Sequence, residues 1–149
     1  MLSNVTAVKD SAQAKNDFIK VAKAGYFLAE SCDHLKELDN QILNYAIREY
    51  GNLSWWALLA KDFALSEKAA LRCLELDTSQ EWVLTNLGYS YLLRGQYQQA
   101  QTTYEKLKEK KDGEGNGYHQ VLLNDFAALE QAGITHPDMA KMKAWVTGW

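Results

Sequence analysis

Hydrophobic residues recur along most of the chain at the spacing of an α-helix, and breaks separate one stretch from the next. One stretch carries them at i, i+3, i+4 and i+7, which predicts a single apolar helix face: Leu84, Leu87, Gly88 and Tyr91. Gly95 interrupts this pattern, and a second apolar face follows it: Tyr97, Ala100, Tyr104 and Leu107. The alternation of stripes and breaks predicts pairs of antiparallel helices.

The helical pattern repeats itself at an offset of 34 residues, the separation of Asn52 and Asn86. At this offset Asn52-Leu53-Ser54 corresponds to Asn86-Leu87-Gly88, and Lys61-Asp62-Phe63 corresponds to Gly95-Gln96-Tyr97. The small residues Gly88 and Ala100 would let the two helices of a pair approach closely. Internal repetition of this length indicates a stack of helix pairs.

The second copy of the repeat resembles the tetratricopeptide repeat signature. The resemblance lies in these residues: Leu87, Gly88, Tyr91, Gly95, Tyr97, Ala100 and Tyr104. The first copy is degenerate, with Ser54 where the family usually has glycine and Ser66 where it usually has alanine. The resemblance implies an all-α fold of antiparallel helix pairs stacked as a short right-handed solenoid, with about seven to eight helices over this length.

The same resemblance suggests how the chain is organised. Residues 1–9 carry no pattern and are expected to be frayed, and residues 10–149 are expected to form one helical domain. Within it, residues 10–50 would form N-terminal capping helices, residues 47–80 the degenerate repeat and residues 81–114 the clear repeat. Residues 115–149 would form a divergent C-terminal helix pair, similar to the closing pair of some bacterial tetratricopeptide proteins.

The resemblance also implies where a partner would bind. Family members hold peptides or proteins on a concave surface made by the first helix of each repeat. The matching positions give these predicted partner-binding residues: Arg48, Asn52, Trp55, Trp82, Thr85, Asn86, Tyr89, Leu93 and His119. Trp82 and Tyr89 are expected at the centre of the groove, where Asn52 and Asn86 could bind a peptide backbone. The alternative is that the aromatic residues pack against neighbouring helices, as aromatics at helical spacing more often do.

Charge and composition exclude several classes of partner. A net charge of −3 gives no basic face for nucleic acid, and no stretch of the sequence approaches the length of a membrane span. The first twenty residues lack the apolar core of a secretion signal. Cys32 and Cys73 show no metal or redox spacing, so they are expected to be reduced thiols in a cytoplasmic protein.

The sequence contains no recognisable catalytic or metal-binding motif. His34, His119 and His136 lie far apart in the chain, and none has a second ligand at metal-binding spacing. The loop that begins at Asp112 resembles the start of a calcium loop, but its twelfth position is Leu123, where calcium needs a bidentate glutamate. We therefore expect no cofactor, no metal and no enzymatic activity.

These observations predict a protein–protein interaction scaffold that binds a peptide or partner protein in a concave helical groove. The first alternative is a structural module that forms a homodimer through its open repeat faces, because solenoid ends expose apolar surface unless they are capped. The second is a small-ligand-binding or enzymatic domain, which would need titratable groups that converge in a cavity.

Overall fold

The computed structural model describes residues 2–149, without the side chains of Leu2 and Leu38. Within this part of the chain there are eight α-helices, a short 3-10 helix at Lys36–Leu38 and no β-strand. The helices are α1 (Leu2–Ala14), α2 (Phe18–Leu35), α3 (Asn40–Leu59), α4 (Phe63–Leu76), α5 (Val83–Leu93), α6 (Tyr97–Glu105), α7 (Tyr118–Gln131) and α8 (Met139–Thr147). The predicted all-α fold class is confirmed.

The N-terminal segment differs from the expectation of a frayed end. Residues 2–9 belong to α1, which packs against α2, and Met1 lies outside the described residues. Lys9 forms an ion pair with Glu49 of α3 at 2.6 Å, and their side chains are only 10% and 4% exposed. Among the described residues of α1, Ala12 is the one buried apolar residue, so this helix leaves little hydrophobic pattern in the sequence. A hydrophobic pattern also cannot reveal its long-range ion pair.

Helix α3 joins two segments that the sequence analysis separated. The expected capping region ended at residue 50 and the degenerate repeat began at residue 47, yet residues 40–59 form one continuous helix. The helix begins after Asp39, whose carboxylate accepts a hydrogen bond from the Gln41 backbone amide at 2.7 Å. The expected boundary therefore falls inside a helix.

Four helices end in turns of the same geometry, and in three of these turns only three residues separate the helix from its partner. Asn16, Lys61 and Gly95 all have positive φ, at 55°, 62° and 77°. In each turn the next amide donates to the carbonyl five residues earlier at 2.9 Å, which is the Schellman arrangement: Asp17 to Ala12, Asp62 to Ala57 and Gln96 to Tyr91. In the fourth, after α7, Gly133 has a φ of 70° and the Ile134 amide donates to the Leu129 carbonyl at 2.9 Å. The pairs α1–α2, α3–α4 and α5–α6 thus share one turn, and the turn of the first pair was not recognised in the sequence.

The shared turn predicts that Lys61→Gly stabilises the protein. A left-handed backbone disfavours any residue with a Cβ, so the substitution should raise the free energy of unfolding by about 1 kcal/mol in urea denaturation. The equivalent position already carries Gly95. Lys61→Ala is the matched control, because it removes the side chain but keeps the Cβ. If the two variants are equally stable, the left-handed backbone at this turn stores no strain.

Small residues allow close packing within both central helix pairs, by different means. A Cβ added at Gly88 would overlap the Tyr104 ring, so only glycine fits between α5 and α6. In the preceding pair Ser66 donates a hydrogen bond to the Ser54 carbonyl at 2.7 Å, and the Ser54 hydroxyl donates to the Gly51 carbonyl at 2.6 Å. The serines of the degenerate copy therefore bring their own buried hydrogen bonds.

Two carboxylates of the N-terminal half, one buried and one partly buried, are paired with cations. Glu49 is paired with Lys9, as described above, and Asp33 of α2 accepts two hydrogen bonds from Arg72 of α4 at 2.7 and 2.9 Å. The hydrogen bonds from Arg72 lower the pKa of Asp33 to about 2. These pairs connect α1 with α3 and α2 with α4.

Candidate functional site

An open pocket of about 360 Å³ lies between α3, α5 and the beginning of α7, and we call it the groove. Five of its lining residues were predicted from the sequence: Asn52, Trp55, Trp82, Thr85 and Asn86. The others were not predicted: Trp56, Asp112, Tyr118, Val121 and Asp125. The groove therefore combines an aromatic wall from α3 and the start of α5 with an acidic wall from α7 and the loop that precedes it.

The other predicted residues lie outside the groove lining. Tyr89 and Leu93 are buried in the core, so the expectation that Tyr89 forms the centre of the binding surface is wrong. Arg48 is exposed on α3, where its guanidinium lies 4.6 Å from the centre of the Tyr45 ring. His119 is exposed at the start of α7 and does not line the groove.

Tyr89 is covered by α7, which explains the correction. Its ring meets Tyr104 of α6 and Phe126 of α7 edge to face, with ring centres 5.7 and 5.0 Å away. Its hydroxyl donates to the Leu122 carbonyl at 3.0 Å and lies 3.4 Å from an oxygen of Asp125. Tyr89 thus anchors α7 beneath the groove, where no partner can reach it.

The floor of the groove is polar and internally hydrogen-bonded. The Asn86 amide donates to the Ser54 hydroxyl at 2.8 Å, and the Thr85 hydroxyl donates to the Trp82 carbonyl at 2.8 Å. Both Thr85 and Asn86 are nearly inaccessible to solvent. The amide of Asn86 therefore holds α5 against α3 and is not free to bind a peptide backbone as the sequence analysis expected.

Tryptophan rings form the accessible wall. Trp82 is 37% exposed and packs over Gly51, where an added Cβ would lie 2.6 Å from the ring. Its indole nitrogen donates to the Gln80 side chain at 2.9 Å, which fixes the orientation of the ring. Trp56 stacks on Phe18 of α2, with ring centres 6.2 Å apart and planes 13° from parallel. Trp55 lies beside it and is partly exposed.

Two carboxylates form the acidic wall. Burial raises the pKa of Asp125 to about 6, although the nearby Tyr89 hydroxyl lowers it. Hydrogen bonds from the Asn116 side chain and from the backbone of the same loop lower the pKa of Asp112. Among the described residues neither carboxylate has an ion-pair partner. Both aspartates are ionised at pH 7.5, and both face the groove without a cation.

The other side chains considered for catalysis or metal binding do not lie together at the groove. Within residues 2–149, no group of three histidine, cysteine or carboxylate side chains is arranged to bind a metal ion. Cys32 and Cys73 are free and buried, and burial raises the pKa of both thiols. None of the described helices is long and apolar enough to cross a membrane.

Comparison with known proteins leaves the groove as the basis for inferring function. No family model, no curated protein and no solved structure matches this chain. The tetratricopeptide resemblance therefore rests on the repeated residues themselves.

Proposed function

We propose that the chain is a tetratricopeptide-like scaffold that binds a segment of a partner protein in the groove. The observation that carries this proposal is the accessible tryptophan wall, in which Trp82 is 37% exposed and Trp55 and Trp56 are partly exposed. Burying an aromatic side chain gains about 2–3 kcal/mol, so several that remain accessible around one pocket favour a partner that covers them.

The arrangement of the helices supports the repeat interpretation. Three helix pairs share one turn geometry, and α3 contacts α5, the helix that occupies the same place in the next pair. Side-by-side first helices are what a solenoid needs to form a concave surface. Five of the nine residues that the resemblance assigned to such a surface line the groove.

Selection of peptides from a random phage-displayed dodecapeptide library tests the proposal. Trp82→Ala should weaken binding of the selected peptides at least tenfold, because an aromatic side chain in a groove is a typical binding hot spot. Fluorescence anisotropy with labelled peptides gives the dissociation constants. Circular dichroism should show an unchanged helix content, since Trp82 lies before α5 and outside the core.

Phe27→Ala is the matched control for Trp82→Ala. Phe27 is also an exposed aromatic residue, but it lies on α2 and does not line the groove. The control should bind every selected peptide as the wild type does. Peptides that bind Trp82→Ala as tightly as the wild type would show that the binding surface lies elsewhere.

Self-association is the second candidate, and a separate observation favours it. Val8 of α1 and Ile19 and Phe27 of α2 are large apolar side chains that are 43–60% exposed. A homodimer would cover such residues without using the groove. Light scattering across a dilution series distinguishes the two functions, because a dimer that dissociates on dilution reveals self-association and a constant monomer mass argues against it.

A further inference from the structure

We propose that the partner segment places an arginine side chain in the groove, between the tryptophan wall and the carboxylates of Asp112 and Asp125. This inference rests on the proposed function and specifies the chemistry of the partner. It follows from the shape of the pocket, from the unpaired negative charge and from the type of side chain that faces that charge.

The groove is large enough to admit a long side chain. Its volume of about 360 Å³ lies within the range of pockets that enclose small ligands. The tryptophans come from α3 and the start of α5, whereas the carboxylates come from α7 and the loop before it. A side chain that enters the groove therefore meets aromatic and acidic groups together.

The charge in the groove is unpaired. Two carboxylates of the N-terminal half have cationic partners within the fold instead: Glu49, which is buried, lies 2.6 Å from Lys9, and Asp33, which is partly buried, lies 2.7 Å from Arg72. Asp125 is partly buried, and among the described residues its hydrogen-bonding partner is the Tyr89 hydroxyl, which carries no positive charge. Removing a carboxylate from water without a cation is unfavourable. A cation supplied by the partner would complete the site in the way that Lys9 and Arg72 complete the other two.

The aromatic wall favours arginine over lysine as that cation. A guanidinium is planar, stacks on the faces of tryptophan rings and can donate to a carboxylate through two parallel N–H groups. An ammonium is a strongly hydrated point charge that offers no stacking surface. We therefore expect peptides with arginine to bind most tightly, those with lysine less tightly and those with a neutral isostere least tightly.

The experiment uses the peptides that are selected from the dodecapeptide library and that depend on Trp82. Each peptide is resynthesised with one arginine at a time replaced by citrulline, which has the same shape but no charge. One replacement in each peptide should weaken binding to the wild type at least tenfold. Lysine at the same position should give an intermediate affinity.

Variants of the acidic wall complete the test. Asp125→Asn removes one charge and keeps an oxygen that can accept from the Tyr89 hydroxyl. Asp112→Asn removes one charge and keeps an oxygen for the Glu114 and Asn116 backbone amides, but it loses the bond from the Asn116 side chain. The arginine-to-citrulline ratio is the factor by which a peptide binds more tightly with arginine than with citrulline at the same position. Each variant should reduce this ratio at least threefold. Asp10→Asn removes an exposed charge on α1, outside the groove, and should leave the ratio unchanged.

The possible results distinguish a failure of the inference from a failure of the proposed function. Peptides that need Trp82 but bind equally well with citrulline at every arginine, or that contain no arginine, would overturn the inference and leave the proposed function intact. An arginine-to-citrulline ratio that neither groove aspartate affects would also overturn it. If no selected peptide depends on Trp82, both the inference and the proposed function fail.

Discussion

Tyr89→Ala is expected to lower the free energy of unfolding by about 3–5 kcal/mol, the loss typical of removing a large aromatic ring from a packed core. The ring is completely buried and contacts Tyr104 and Phe126, so its removal would leave a cavity where α5, α6 and α7 meet. Urea denaturation followed by circular dichroism measures the change. A loss of this size is a large fraction of the stability of a small domain.

Two conservative variants separate the ring of Tyr89 from its hydroxyl. Tyr89→Phe keeps the ring but loses the hydrogen bond to the Leu122 carbonyl, so it should cost about 1 kcal/mol. Tyr104→Phe should cost nothing or stabilise the protein, because the buried Tyr104 hydroxyl has no hydrogen-bond partner among the described residues. If Tyr89→Ala is destabilised by no more than Tyr89→Phe, the ring does not lie in the core.

This expected result is the opposite of what the repeat pattern alone suggests. From the sequence, Tyr89 belongs to the groove, and its removal should leave the helices intact. The repeat period gives the register of α5, but it says nothing about what covers each face. The covering helix is α7, which follows a long connection after α6 and lacks the signature residues of the repeat, although the 34-residue register reaches it. A sequence pattern cannot show how such a helix docks.

Local features of the fold were more accessible to prediction than its tertiary contacts. The turn at Gly95 and the close approach at Gly88 were both predicted, because glycine marks positive φ and tight packing in any context. Helix α1 was missed because Ala12 is its one buried apolar residue among those described, and because its ion pair with α3 joins residues 9 and 49. The matching turn at Asn16-Asp17-Phe18 was the one signal in the sequence that could have indicated it.

The same difference between local features and tertiary contacts applies to the groove. Its aromatic wall was largely predicted, since Trp55 and Trp82 occupy positions that the repeat register assigns to a concave surface. Its acidic wall was not predicted, because Asp112 and Asp125 reach the groove only through the docking of α7. Asp112 did stand out in the sequence as the start of a calcium-like loop. In the structure its carboxylate instead accepts hydrogen bonds from Glu114 and Asn116 within that loop.

Asp125→Asn is expected to stabilise the protein at pH 7.5 by about 2–3 kcal/mol and to have little effect at pH 4. The pKa of Asp125 is about 6, above its ordinary value of 3.8, so the folded protein binds this proton more tightly than the unfolded chain does. The stability that the proton confers is therefore complete below pH 4 and is lost as the pH rises through 6. A shift of this size corresponds to about 3 kcal/mol, and partial exposure of the side chain reduces it.

Urea denaturation of both proteins at pH 4 and pH 7.5 measures this difference. Other groups titrate over the same range, but they titrate in the wild type and the variant alike, so the comparison isolates Asp125. Asp10→Asn, an exposed substitution on α1, should show no dependence of this kind. If the free energies of unfolding of Asp125→Asn and the wild type differ by the same amount at both pH values, the carboxyl group of Asp125 titrates normally.

The two expected effects of Asp125→Asn have opposite signs, and together they bear on function. The variant should fold more stably at neutral pH and yet lose part of its preference for arginine over citrulline. Stabilising substitutions often reduce function, and that combination is what the proposal predicts for Asp125→Asn. An unpaired, partly buried carboxylate reduces stability, and under the proposal the arginine of the partner would supply the missing cation.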